Sequence, residues 1–222
     1  MLPPKRQRTR SKLLEISQKY ILESGCKSLS LRDICFAAEM SSGTIYNYYR
    51  DLDELLSDIE KMLIRSYHYT LDQALIGVSN PLNQLAICAK QTLFNALPNE
   101  SLGKLIFQGD LPHKHFIHSV RERFINDMQA AIDQNFILIE QQEALLSMVV
   151  GGMYGAMTDL HRGALNESHI NQITALLLTL LGVDKALAKE ISQQDFNAIK
   201  AADLPLSSID WLEHQVAHPK SL

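Results

Sequence analysis

The run Ser30-Leu31-Arg32-Asp33-Ile34-Cys35-Phe36-Ala37-Ala38-Glu39-Met40-Ser41-Ser42-Gly43-Thr44-Ile45-Tyr46-Asn47-Tyr48-Tyr49-Arg50 decides how this chain is read. Ser30 and Asp33 form a variant capping pair: each side chain can satisfy a backbone donor of the other, and the carboxylate suits the positive end of a helix. Leu31, Ile34, Cys35 and Ala38 then recur at the spacing of one buried helical face. A turn at about Glu39–Ser41 follows, and a third short helix is expected over Ser42–Tyr49. Ile45 and Tyr49, four apart, face its core, leaving Ser42, Thr44, Tyr46, Asn47 and Tyr48 outward. Two short helices joined by a tight turn form a helix-turn-helix. The first braces against the phosphate backbone, and the second enters the major groove, which is just wide enough for one helix. Asparagine can pair with adenine through both donor and acceptor, and Ser and Tyr hydroxyls reach phosphates. The competing reading is a polar helix face that ends in a surface aromatic cluster.

Upstream, Leu13, Ile16, Tyr20 and Ile21, with Leu14 at the margin, place a first helix over Arg10–Ser24, closed by Gly25. Downstream, a long helix begins near Asp51, with Leu55, Leu56, Ile59, Leu63 and Tyr67 on its stripe. Gly77–Pro81 is a break. Further helices are expected over Leu82–Leu97, Ser101–Gln108, Phe116–Asn135, Gln141–His161, Ile170–Leu181 and Ala186–Ala201, with a short one at Ile209–Val216 where Trp211 anchors the tail. No β-type alternation runs for long, so the class is all-α.

Charge is divided unevenly. The net charge is -4, yet residues 1–50 carry +5 and the remainder -9. A basic head on an acidic body suits a module that binds a polyanion beside a part that does not. A solvated basic tail would look the same, because five of the nine head cations precede residue 13.

Residues Gly25 to Ala38, followed by Ser41–Tyr49 and Leu55-Leu56, closely resemble the N-terminal signature of the tetracycline-repressor (TetR) family over about residues 10 to 57, without a gap. The resemblance implies a three-helix helix-turn-helix domain with a basic arm (1–54) and a larger helical effector-binding and dimerisation domain (55–222). It implies that Ser30 and Arg32 touch DNA, and that Ser41, Ser42, Gly43, Thr44, Tyr46, Asn47 and Tyr48 form the recognition surface. Phosphate contacts from Arg6, Arg8 and Arg10 in the arm are expected to add to these. Two positions depart from the family pattern. Its usual turn glycine is Glu39 here, costing about 1 kcal/mol if that residue is left-handed. Its usual phosphate-binding lysine at the start of the fourth helix is Leu52.

One helix-turn-helix buries too little surface for tight specific binding, so a homodimer spanning two half-sites of double-stranded DNA is expected. Gln141–His161, with Gly151, Gly152, Gly155 and Ala156, and Ile170–Leu181 are apolar almost all round and are the dimer candidates. In the family such a domain encloses a ligand. Phe94, Phe107, Phe124, Met128, Met148, Tyr154 and Met157 are the candidate lining for a small hydrophobic or amphipathic effector, since Met and aromatic side chains adapt to apolar guests. Ordinary core packing is the alternative for each.

His113, His115 and His118 lie near Asp110, but the i, i+2, i+5 spacing does not place them on one helix face, and neither a metal nor a cofactor is expected. Cys26, Cys35 and Cys88 are scattered, which fits a reducing cytoplasm, and no apolar signal core or membrane span is read. There is no Gly-rich phosphate loop, GxSxG or HExxH, so an enzyme is not expected. The expected function is a ligand-responsive transcriptional regulator, a repressor of palindromic operators. The alternative is a DNA-bound protein of the same fold whose C-terminal domain binds a protein partner.

Overall fold

The structure, a computed structural model, describes residues 5–139 and 141–206; the expected Ile209–Val216 helix and Trp211 lie outside them. All regular structure among the described residues is helical: α1 (Lys5–Ser24), α2 (Leu31–Ala37), α3 (Ser42–Ile45), α4 (Leu52–Ala74), α5 (Pro81–Phe94), α6 (Ser101–Gly103), α7 (Lys114–Asp133), α8 (Gln142–Arg162), α9 (Ile170–Leu180) and α10 (Lys185–Gln193). Packing divides them into two units. One holds described residues 5–63, 105–112 and 202–206, the other 64–104 and 113–201. The boundary falls within α4, nine residues beyond the one expected at 54, and 105–112 join the first unit.

In the first unit α1 buries Leu13, Leu14 and Ile21, so Leu14 is core, whereas Ile16 and Tyr20 are only half-buried. The helix begins at Lys5 rather than Arg10. Lys, Arg and Gln are strong helix formers, and the expected basic arm is therefore its first turns. Gly25 ends it at φ 78° and ψ 156°, a region open to little but glycine. Ser30 caps α2, accepting from the Asp33 amide at 3.2 Å, while its hydroxyl donates to the Asp33 carboxylate. Asn80 caps α5 with Pro81 in the first turn, where its missing N–H costs nothing.

In the second unit α5 is buried on nearly every side and packs against α7, α8 and α9. Its interior polar groups are all partnered, as burial demands. Thr92 donates to the Cys88 carbonyl, Asn95 to Thr70, and Lys90 to the Gln194 carbonyl. Gln91 clasps Ile199, donating to its carbonyl at 2.8 Å and accepting from its amide at 3.0 Å. These side-chain bonds hold 194–199 out of helical geometry, which is why α10 stops at Gln193 and not at Ala201. Gly103 is required by space: a Cβ there would lie 2.7 Å from the Ala96 carbonyl oxygen. No helix among the described residues is long and apolar enough to cross a membrane.

Candidate nucleic-acid interface

The interface is built around α3 in the first unit. Ala38 ends α2, and Glu39 reverses the chain at φ 56°, the left-handed conformation the sequence left conditional. The Met40 amide donates to the Cys35 carbonyl at 3.0 Å, closing the turn. Ser41 stands at the N-cap of α3 with its hydroxyl 2.8 Å from that of Thr44. The helix is shorter than the expected Ser42–Tyr49. After Ile45 i→i+3 bonds enter, with the Asn47 amide on the Thr44 carbonyl and Tyr48 on Ile45, while the Tyr49 amide keeps an i→i+4 bond to Ile45 at 3.0 Å. Tyr and Asn are poor helix formers, and Tyr49 is drawn into the core.

Facing follows the four-residue spacing. Ile45 is 1 % and Tyr49 0 % exposed, while Tyr46 is 62 % exposed. Ser41, Gly43 and Asn47 are exposed, and Thr44 and Tyr48 half-buried. The Ser42 side chain lies outside the described set. Arg32 is exposed at the start of α2, beside Ser30, whose hydroxyl is committed to Asp33. Phe36, which the sequence reading left unassigned, is 88 % exposed on the same helix. It fell at no position of the apolar stripe, and that was the available signal.

Arg6 and Arg8 are exposed on the first turns of α1, but Arg10 is engaged. Its Nη2 pairs with Asp58, its Nε donates to Tyr49 Oη at 3.3 Å, and its guanidinium lies 5.5 Å from the Tyr49 ring centre. Tyr49 donates onward to Asp58 at 3.4 Å. Burial works against the Arg10 cation, yet the bonds to Tyr49 and Asp58 hold its pKa above the ordinary arginine value. Burial, with Asp58 nearby, pushes the Tyr49 phenol up. Arg10, expected as a phosphate contact, therefore ties α1 and α4 to the segment that follows α3. Lys12 acts similarly, donating to the Ala38 carbonyl at 3.1 Å. The start of α4 is clamped reciprocally: the Glu54 amide donates to Asp51, and the Arg50 amide to the Glu54 carboxylate, both at 2.8 Å. The backbone bond from Glu54 and then Arg50 lower the Asp51 pKa.

The seven residues expected to line a ligand site differ in exposure and surroundings. Phe94, Met128 and Met157 are packed core, and Met148 is 66 % exposed on the outer face of α8. Phe107 is half-buried in the 105–112 segment of the first unit. Tyr154 is bound to His113, with Oη 2.9 Å from Nε2 and the rings stacked. Phe124 lines a small cavity with Tyr67, Arg123 and Asp127. Asp110 pairs with Lys27 at 2.6 Å, His115 and His118 are exposed, and no group of three potential metal ligands occurs among the described residues.

No family model and no curated protein matches the sequence. Solved structures do match the fold. RolR in complex with resorcinol superposes with a TM-score of 0.68 at 21 % identity, covering 88 % of this chain and 98 % of that one. A TetR-family transcriptional regulator from Haemophilus influenzae superposes at 0.59 and 14 % identity, with 82 % and 98 % covered. A TetR-like regulator from Rhodococcus gives 0.52 and 16 %, over 86 % and 96 %. The chain has the fold of TetR-family transcriptional regulators: an N-terminal helix-turn-helix followed by a helical body.

Proposed function

We propose that this protein is a ligand-responsive transcriptional regulator of the TetR type, a repressor that binds a palindromic operator as a homodimer in the cytoplasm. The observation that carries the reading is the outward Tyr46 and Asn47 in the turn that follows α3, held between Ile45 and Tyr49, both rooted in the core. A side chain must be both exposed and rigidly based to read base edges. Ser41, Ser42, Gly43, Thr44 and Tyr48 complete the recognition surface, with Arg6, Arg8 and Arg32 on phosphates and Ser30 fixing the bracing helix.

Pairing is supported by α8 and α9. Leu146, Val149, Val150, Met153, Met157 and Leu160 face the core, whereas Met148, Gly151, Gly152 and Gly155 face away at helical spacing, with nothing within 4 Å of a Cβ built on those glycines. Leu176 on α9 is 71 % exposed. Apolar and small residues along outward helix faces suit close approach of a second copy. The effector is a small hydrophobic or amphipathic molecule, a reading supported by the likeness to RolR, which was solved with resorcinol as its ligand.

Selection of bound fragments from the source genome, followed by gel shift, tests the reading. Tyr46→Ala and Asn47→Ala should each abolish specific binding while helicity and dimerisation persist. Undiminished operator affinity in both variants refutes the assignment.

A further inference from the structure

Residues 194–206 follow α10 without forming a helix, yet side chains fasten them in each unit. In the second unit the buried Lys90 donates from Nζ to the Gln194 carbonyl at 2.8 Å and lies 5.9 Å from the Phe196 ring centre. The next residue, Gln91, holds both the carbonyl and the amide of Ile199. In the first unit Gln18, which has no exposed surface, repeats that arrangement. Its Nε2 donates to the Leu206 carbonyl at 2.9 Å, and its Oε1 accepts from the Leu206 amide at 2.7 Å. The division between the units falls between these fastenings, after Ala201.

A primary amide as deeply buried as Gln18 needs partners for its donor and its acceptor. Leu206 supplies both, and in return its own main-chain groups are satisfied without a helix or a sheet. The fastenings are unequal. The second unit grips the segment at Lys90 and again at Gln91, whereas the first grips it at Gln18. There Leu206 is buried and residues 202–205 are exposed or half-buried. When Leu206 leaves, Gln18 keeps an acceptor in the Leu14 carbonyl, 3.3 Å from Nε2. The Gln18 end, with less burial and fewer bonds, is therefore the one that opens first. From Ile199 to Leu206 the chain runs seven residues, which reach about 25 Å when fully drawn.

We infer that residues 194–206 are a latched strap: while the clasp of Gln18 on Leu206 is closed, the strap limits the movement of the DNA-binding unit, and opening the clasp frees it. The inference rests on the reading of the chain as a DNA-binding regulator. A head held to fewer orientations gives up less entropy when it meets an operator, so the latched state binds DNA more tightly. Because α5 carries the other end of the strap, a shift of α5 bears on the head through this clasp, an element with an open and a closed state.

Hydrogen exchange on the full-length protein reads the clasp directly. The Leu206 amide should be protected in the parent and exchange at least about tenfold faster in Gln18→Leu, with the Ile199 amide unchanged. Operator affinity, measured by fluorescence anisotropy on a selected fragment, should fall about fivefold or more in the same variant. Six Gly and Ser residues inserted between Ala201 and Ala202 keep both clasps and add about 20 Å of slack, and should weaken binding as far as Gln18→Leu does. Should Gln18→Leu fail to fold, Leu206→Pro, which removes the donated amide and leaves α1 untouched, takes its place in the affinity measurement. An unprotected Leu206 amide in the parent, affinity unchanged or tightened by Gln18→Leu, or affinity unaffected by the insertion overturns the latch. The last result would make Gln18 a local brace of α1. Recovery of no operator at all refutes the regulator instead, and the exchange result then stands for the clasp alone.

Discussion

Replacing Glu39 by glycine should stabilise the protein, a rare direction for a point substitution. Glu39 sits at φ 56°, its side chain is exposed, and the backbone bonds that hold the turn come from main-chain groups that glycine retains. A left-handed residue with a Cβ costs about 1–2 kcal/mol. Against this, glycine's greater freedom in the unfolded chain costs about 0.4–1 kcal/mol. The net gain is roughly 0.5–1 kcal/mol, which for a chain of this length raises Tm by about 1–4 °C. The carboxylate also lies just beyond the C-terminal end of α2, where negative charge is mildly unfavourable, so Glu39→Gln is the necessary control. It removes the charge and keeps the strain. Urea and thermal unfolding followed by circular dichroism should place the glycine variant above the glutamine variant, with both binding DNA slightly more tightly than the parent. Equal stability of the two variants, or loss of stability in the glycine one, would refute the claim that this turn stores backbone strain.

Arg10→Met should lower stability by no more than about 1 kcal/mol, the discount appropriate to a pair whose arginine is half-exposed, and should leave the salt dependence of DNA binding unchanged. Combining it with Asp58→Asn should recover part of the loss, and an unaltered sum of the single effects in a double-mutant cycle would deny the coupling. Gly152→Arg, placing a charge on the outward face of α8, should raise the dimer Kd by roughly thirtyfold, from about 2 kcal/mol for a buried unpaired charge. Sedimentation equilibrium showing an intact dimer would move the interface elsewhere.

What could be read from sequence was local. Ser30 with Asp33 and the four-residue step from Ile45 to Tyr49 act within a few residues, and the structure places each as its chemistry requires. Arg10 looked like one more cation in a basic run because its partners lie 39 and 48 residues away. The residues expected to line a ligand site differ in exposure for a different reason. Met128, Met148 and Met157 are the same residue type, and only the face of the helix decides that the first and last are core and Met148 is surface. Choosing adaptable apolar residues therefore selected core. Arg123 with Asp127, a pair at i, i+4 on the half-buried face of α7, was legible locally; Asp72 and Cys88, brought to Arg123 from α4 and α5, had no local trace.

The +5 head overstates the charge that DNA would meet. Arg10, Lys27 and Arg50 are paired with Asp58, Asp110 and Asp51, and Lys12 donates to a carbonyl. Lys5, Arg6, Lys19 and Arg32 carry no such commitment among the described residues, and all four are exposed. Counting these four with Arg8, at most five side-chain cations per protomer lie on phosphates, so a dimer would neutralise no more than about ten, and the slope of log K against log salt should be no steeper than about -9 at -0.9 per phosphate. Loss of Arg32 should flatten the dimer's slope by about 2, once per half-site, whereas loss of Arg10 should leave it alone. A slope well beyond about -9 would mean that the internal ion pairs open on DNA, and that Arg10 exchanges Asp58 for phosphate when the recognition segment docks. In that event Arg10→Met would flatten the slope as Arg32→Ala does, so the two substitutions together decide whether the head arrives at DNA prearranged or rearranges there.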